Sequence, residues 1–388
     1  MRIRTKAAAV ACFGGLALGA LSLNGAASAD PAVPFSNDVS DYIYGTGSDT
    51  TYELMTELGN AYNESQGCNQ IFPHGTDCIA PPQAGVIKTE NYDHEVVVNR
   101  FPVGSGNGRI TLCDQTAPRP ANVPYANFAR SSSGPSTSGC TDSGLVLRFV
   151  AFAKDAIAPV NWRTTPGSPA AGVTNLSQAQ LNDIFVDCTI TNWNQVGGAA
   201  GAIEVWSIQP GSGTRSSWDG FVGGNSTNCV PNAAHIIFEN NVAPIEGLGG
   251  FSDAIFPFAV GAHNTNPARA GDSQLMDVNG VSPTPANIQN GTFPFSRDVY
   301  NVYRLAAGPA NHQPIASAFT VGFVGENGWI CKPQALHSEP PGTPGGGIED
   351  PVATRDYGQL VLDTIQASGF VPKALAGNLC TFSDITVP

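Results

Sequence analysis

The stretch "AIEVWSIQPGSGTRSSWDGFVGG", residues 202–224, decides the fold. An apolar run ends at Ile208, a turn rich in glycine and hydroxyls follows at 209–217, and a helical pattern opens behind it. The unit is strand, loop, helix. The loop holds almost nothing a core could use. It offers backbone N–H groups, hydroxyls and one cation, Arg215. A helix N-terminus leaves about four N–H groups without partners, and the helix dipole favours an anion there. The phosphate loop of nucleotide-binding proteins is a different device, and its G-x-x-x-x-G-K-[ST] pattern is absent.

The same unit recurs upstream. In "YIYGTGSDTTYELMTELGNAYNES", residues 42–65, a short apolar alternation meets a turn. Tyr52, Met55, Leu58 and Tyr62 then fall at helical spacing, and Thr50 with Glu53 predicts a capping box. In "HEVVVNRFPVGSGNGRITL", 94–112, a strand at Val96–Val98 runs into a glycine-rich turn, and "ANFARSSSGPSTSGC", 126–140, ends in another hydroxyl-rich loop. "GLVLRFVAFAKDAIAPVNW", 144–162, reads as one or two buried strands. Ser177 predicts the cap of a short helix through Leu181 and Ile184, 291–304 returns to strand, and a final helix over 353–370 closes at Gly369. Repeated strand–loop–helix units predict an α/β fold with loops at the carboxyl ends of strands, where open α/β sheets bind ligands.

Three loops share one chemistry: "GTGSDTT" (45–51), "GSGNG" (104–108) and "GSGTRSS" (211–217). Converging on one point, they would surround a tetrahedral oxyanion with donors. Each hydrogen bond to a charged group is worth about 1.5–3 kcal/mol. Micromolar affinity needs about 8 kcal/mol, so roughly six to ten such bonds suffice after ordering losses. Each loop also has a plainer reading: a turn, with Thr50 and Ser212 as caps and Arg215 as a solvated charge.

Bulk properties narrow the classes. "MRIRTK" carries three cations ahead of a small, apolar stretch at 7–23, and "AASAD" supplies a cleavage pattern, so residues 1–29 read as a secretory signal peptide cut after Ala29. Cys12 lies within the apolar stretch rather than behind it, so the expected product is released and not lipidated. The other eight cysteines, Cys68, Cys78, Cys113, Cys140, Cys188, Cys229, Cys331 and Cys380, predict four disulfides in an exported chain. Pairing neighbours in order gives 68–78, 113–140, 188–229 and 331–380, one of 105 connectivities. No C-x-x-C pair occurs and no histidines have ligand spacing, which argues against zinc or another metal. Roughly 360 mature residues exceed what one core serves, so two lobes are expected. The net charge of −13 becomes −16 once Arg2, Arg4 and Lys6 leave with the leader, which argues against nucleic acid.

The ordered set "GTGSDTTYELM", "GSGNG", "FARSSSGP", "LSQAQLNDIFVDCTITNWNQV", "IEVWSIQPGSGTRSSWDGF" and "FPFSRDVYNVY" resembles the type II periplasmic-binding-protein fold, over about residues 43–330. It is most similar to the substrate-binding proteins of phosphate ABC transporters, of the exported actinobacterial kind. The resemblance implies a two-lobed α/β fold with a hinge and a ligand cleft: lobe 1 from 30–155 and 300–388, lobe 2 from 156–299. By position it places ligand donors at Ser48, Asp49, Thr50, Thr51, Ser105, Ser132, Ser212, Gly213 and Thr214. It implies a monomer without cofactor or catalytic residues, secreted or held at the cell wall, that hands phosphate or a sulfate-like anion to a permease.

Two departures stand out. The family's arginine ahead of "GSGT" is missing from "WSIQP", where Pro210 also replaces a frequent carboxylate, and Arg215 or Arg130 would compensate. The family carboxylate that accepts the proton of hydrogen phosphate falls on Ser132, leaving Asp49 as the acceptor from the opposite loop. Two other functions fit the composition. One is a secreted hydrolase of phosphate or acyl esters, although no G-x-S-x-G elbow or H-E-x-x-H helix is present. The other is a binding-fold surface or matrix protein without a transport role.

Overall fold

The strand–loop–helix units form in chain order. β1 (Tyr42–Gly47) leads to α1 (Tyr52–Ser65), β2 (Glu95–Val103) to α2 (Ser105–Cys113), and β3 (Phe128–Ser131) to an irregular loop. Then follow β4 (Val146–Trp162), α3 (Gln178–Phe185), β5 (Glu204–Val205), β6 (Ser207–Ile208), α4 (Gly213–Val222), β7 (Ile236–Ile237), β8 (Ala254–Ala259), β9 (Ser273–Leu275) and β10 (Ser296–Ala306). α5 (Ala318–Val324), α6 (Tyr357–Ala367), β11 (Val371–Pro372) and β12 (Thr381–Thr386) complete the set used below. The computed structural model describes residues 42–65, 95–113, 126–162, 168–246, 253–265, 273–306, 316, 318–331, 338–339, 355–373 and 379–388. The leader expected at 1–29 and the Cys68–Cys78 pair lie outside them.

The main sheet runs β2–β1–β3–β10–β4–β8–β5. β1 is parallel to β2 and β3, while β10 is antiparallel to both β3 and β4. The parallel trio therefore delivers its loops to one edge. β4 is a single strand of 17 residues. Its first part pairs with β10, β11 and β12, and its last part, from Ile157, pairs with β8 and β9. Along it, alternation sends Leu147 and Phe149 into one core and Val150 and Phe152 into another. Past Ala156 the strand serves two further cores, one with Trp193 and Trp218 and one with Trp162 and Trp206.

α1 buries Met55, Leu58 and Tyr62 of the predicted stripe together with Leu54 and Ala61, while Tyr52 is half-buried. α3 has the predicted cap, with Ser177 and Gln180 bonding reciprocally. One expectation fails. "GSGNG" is no mere turn, because Ser105 to Gly108 form the first turn of α2. Tertiary packing overrides the poor helix propensity of glycine. A Cβ on Gly108 would lie 2.4 Å from Cα of Gly47, so α2 packs this closely on β1 only without a side chain.

Among the described residues there are three disulfides: Cys113–Cys140, Cys188–Cys229 and Cys331–Cys380. They match the pairing of neighbours in sequence order. They close loops of 27, 41 and 49 residues. By chain entropy each contributes about 3–4 kcal/mol.

Candidate anion-binding site

The loops after β1, β2 and β3 are locked side by side by their backbones. Ser48 N donates to Arg130 O at 3.0 Å, and Gly104 N donates to Gly47 O at 3.1 Å. This register brings three serines together, with Ser132 at the centre. Its hydroxyl lies 2.9 Å from Ser48 Oγ and 3.2 Å from Ser105 Oγ, and its N–H donates to Ser105 Oγ at 2.9 Å. All three are buried.

The β6–α4 loop closes on this cluster from the other side. Gly106 N donates to Gly211 O at 3.1 Å. A Cβ on Gly213 would sit 2.1 Å from Ser105 Oγ and 2.6 Å from Ser132 Oγ. Only glycine lets the head of α4 come this near. Ser212 caps α4 by accepting from Arg215 N at 3.2 Å. The expected capping box at α1 is replaced by a longer-range arrangement. Thr50 Oγ1 instead meets Thr214 Oγ1 at 3.0 Å and donates to Glu239 Oε2 at 3.2 Å.

Five charged groups define the electrostatics. Arg297, near the start of β10, donates to Asp155 Oδ2 through Nε at 3.0 Å and Nη2 at 2.7 Å. Its Nη1 donates to Ser132 O at 2.9 Å, and both terminal nitrogens reach Thr214 Oγ1 at 3.1 Å. Glu239, just past β7, is 1% exposed. It accepts from Thr50 N at 3.0 Å, and its own N–H donates to Gln209 Oε1 at 2.9 Å. Burial raises its carboxyl above the ordinary range, against the lowering effect of the Ser212 hydroxyl. Arg130 is fully buried and donates to the carbonyls of Ser48, Gly45 and Gly47. Burial pulls it down to about 10, so it stays charged at neutral pH. Asp49 is buried within electrostatic reach of both Arg130 and Glu239.

The donor set is incompletely paired. Thr51 Oγ1, Gln209 Nε2 and Glu239 Oε1 are buried without hydrogen-bond partners. Unpaired buried polar atoms cost about 1–3 kcal/mol each, and clusters of them mark sites that bind something.

A PBP superfamily domain matches residues 32–321. The chain belongs to the PBP superfamily. No curated protein matches it. Among solved structures, this PBP-superfamily chain is similar to a Clostridium perfringens protein crystallised with bound phosphate, at 19% identity and TM-score 0.49, covering 74% of this chain and 95% of that one. It is also similar to an ABC-type phosphate transport receptor from Vibrio cholerae, at 21% identity and TM-score 0.45, covering 69% and 89%. A phosphate-binding protein from Stenotrophomonas maltophilia aligns at 15% identity and TM-score 0.48, covering 86% and 91%.

Within this PBP fold, Ser48, Thr50, Ser105, Ser132, Ser212, Gly213 and Thr214 come together, with Asp49 and Thr51 buried at the same turn. Arg215 does not join them. Its guanidinium turns to Ile208 O, Asn225, Thr227 and Asp219. Arg130 holds carbonyls of one loop. Both guanidiniums, to which the sequence left the cation, are turned to these partners rather than to the cluster's hydroxyls. Arg297 stands there instead, and with Asp155 and Glu239 it escaped the sequence reading. Asp155 had a signal, an acid in a mostly apolar strand, which calls for a cation partner when buried. Arg297 is its partner from the "FPFSRDVYNVY" segment. Glu239, in "IIFENN", carried none.

Proposed function

We propose that the chain is an exported solute-binding protein that captures a small oxyanion, inorganic phosphate foremost, and delivers it to an ABC permease. Lobe 1 would combine 30–155 with 300–388, lobe 2 would be 156–299, and the two would close on the ligand. The observation that carries this reading is the convergence of hydroxyls from four separate loops around Arg297, with buried polar atoms beside them left unpaired. Hydroxyls and backbone N–H groups suit a tetrahedral oxyanion, and one guanidinium adds charge and a fixed fork of N–H donors. Membership of the PBP superfamily supports it. Export and release rest on the leader and on the disulfides. Among the described residues no helix is long and apolar enough to cross a membrane.

A hydrolase needs a serine paired with a base. Among the described residues, none of the cluster's hydroxyls bonds to a histidine, and the Ser273–His263 bond of 2.8 Å belongs to β9, beside Phe258. Isothermal titration of the mature protein, unfolded and refolded to strip prebound anion, tests the proposal. Phosphate binding at micromolar concentration is expected. Silence at millimolar phosphate overturns it.

A further inference from the structure

Glu239 has features that a passive core residue lacks. Its backbone φ is +31°, a left-handed conformation uncommon outside glycine. Such strain persists where the surroundings enforce it, often at clamps and switches. Its carboxylate reaches across to the turn entering α1, where Oε2 takes both the N–H and the hydroxyl of Thr50. The Ser212 hydroxyl at the head of α4 favours its charged form, against the effect of burial. Its second oxygen, Oε1, is buried with no partner. Thr51 Oγ1 is likewise buried and unpartnered. A carboxylate oxygen thus already holds the Thr50 donors that the proposed anion would use.

We propose that Glu239 is an internal competitor for the anion: its carboxylate occupies the Thr50 donors, and it must be neutralised by a proton before an external oxyanion takes them. This rests on the anion-binding reading above. The charged groups facing Glu239 are Asp49 from the β1–α1 turn, Arg130 from β3 and Arg297 from β10. Arg297 is already committed to Asp155, and Arg130 to backbone carbonyls. A second anion placed among Glu239 and Asp49 would therefore meet two carboxylates with little free cationic charge. Burial, which raises the Glu239 carboxyl, makes protonation the accessible way to relieve this.

The test is titration of wild type and Glu239→Gln with inorganic phosphate from pH 5 to 8.5, taking the ratio of affinities at each pH. The ratio cancels the ionisation of phosphate itself. Glu239→Gln should bind at least tenfold tighter at pH 8.5, and the advantage should shrink towards unity at pH 5. A ratio at or below one throughout overturns the proposal, since Glu239 would then assist binding or be structural. Absence of phosphate binding by both proteins overturns the anion-binding reading and this proposal with it. Wild type alone provides a second measurement, with sulfate, whose charge is constant over this range. Its affinity should rise as the pH falls, and a flat profile, bound or unbound, also overturns the proposal.

Discussion

The two sides of the serine cluster are built from different materials. On the β1–β3 side, loops are fixed to one another through backbone hydrogen bonds and through Arg130, whose three carbonyl partners belong to one short stretch, Gly45–Ser48. On the α4 side, one backbone bond, Gly106 N to Gly211 O, is joined by side chains that reach across: Thr214, Glu239 and, from β10, Arg297. Arg130 and Arg297 are both buried arginines, so burial does not separate their roles. Their partners do. Arg130 ties the end of β1 to β3 and acts as a strut. Arg297 touches Ser132 from the first side and Thr214 from the second, so it responds to whether the two are together.

Removing Arg297 should therefore have the largest effect. Arg297→Ala is expected to lower phosphate affinity at least a hundredfold by titration calorimetry, since two charge-assisted bonds are worth about 1.5–3 kcal/mol each. It should also destabilise the protein by about 3–5 kcal/mol in denaturant melts, because Asp155 would be left charged and buried. Adding Asp155→Asn should recover much of the stability and none of the binding. Recovery of both would reduce Arg297 to a second strut and dissolve the contrast.

Gly213→Ala probes the approach of the two sides. The new methyl would overlap Ser105 Oγ and Ser132 Oγ, so α4 must retreat from the cluster. An affinity loss of tenfold or more is expected, with a smaller change in melting temperature. Wild-type affinity would mean that the observed approach is not the binding geometry.

Glu239 gives the contrast a pH dependence. Its folded carboxyl titrates above the ordinary value of 4.5, so the folded chain holds a proton that the unfolded chain has released. The associated stability is complete below that ordinary value and is lost as the pH rises through the folded one. Melts of the anion-free protein from pH 4.5 to 8 should show wild type losing ground to Glu239→Gln as the pH rises. A constant gap would place the carboxyl in its ordinary range.

The fold was legible because its signals are local. Strand–loop–helix units, the Ser177 cap, the α1 stripe and three disulfide pairings need only neighbouring residues or sequence order. α2 was missed because its reason, the closeness of Gly108 to Gly47, is tertiary. The hydroxyls of the site were legible for a similar cause, since each sits in a loop whose composition advertises it. Its charges were not. Arg297 and Asp155 are 142 residues apart, and nothing in the chain's order says that β10 lies against β4 at that register. The sequence leaves the cation to Arg215, which adjoins the glycines, or to Arg130, and adjacency in sequence is a poor guide to which way a helical side chain points.

Arg215→Ala is accordingly the smallest expected effect and the cleanest check of the comparison. The side chain leaves the first turn of α4 for Ile208 O at 3.4 Å, Asn225 Oδ1 at 3.2 Å and Thr227 Oγ1 at 3.3 Å. It lies 3.7 Å from Asp219, one helical turn on, in a pair whose members are 18% and 31% exposed. Such half-exposed pairs are worth about 0–1 kcal/mol, so stability should drop by about 1 kcal/mol at most. None of its partners is a cluster hydroxyl, and the N–H that bonds Ser212 Oγ is backbone, which alanine keeps. Phosphate affinity should stay within a factor of two, with the salt dependence of binding unchanged. A loss comparable to that of Arg297→Ala would mean that α4 turns as the anion binds and that its cation is presented only then.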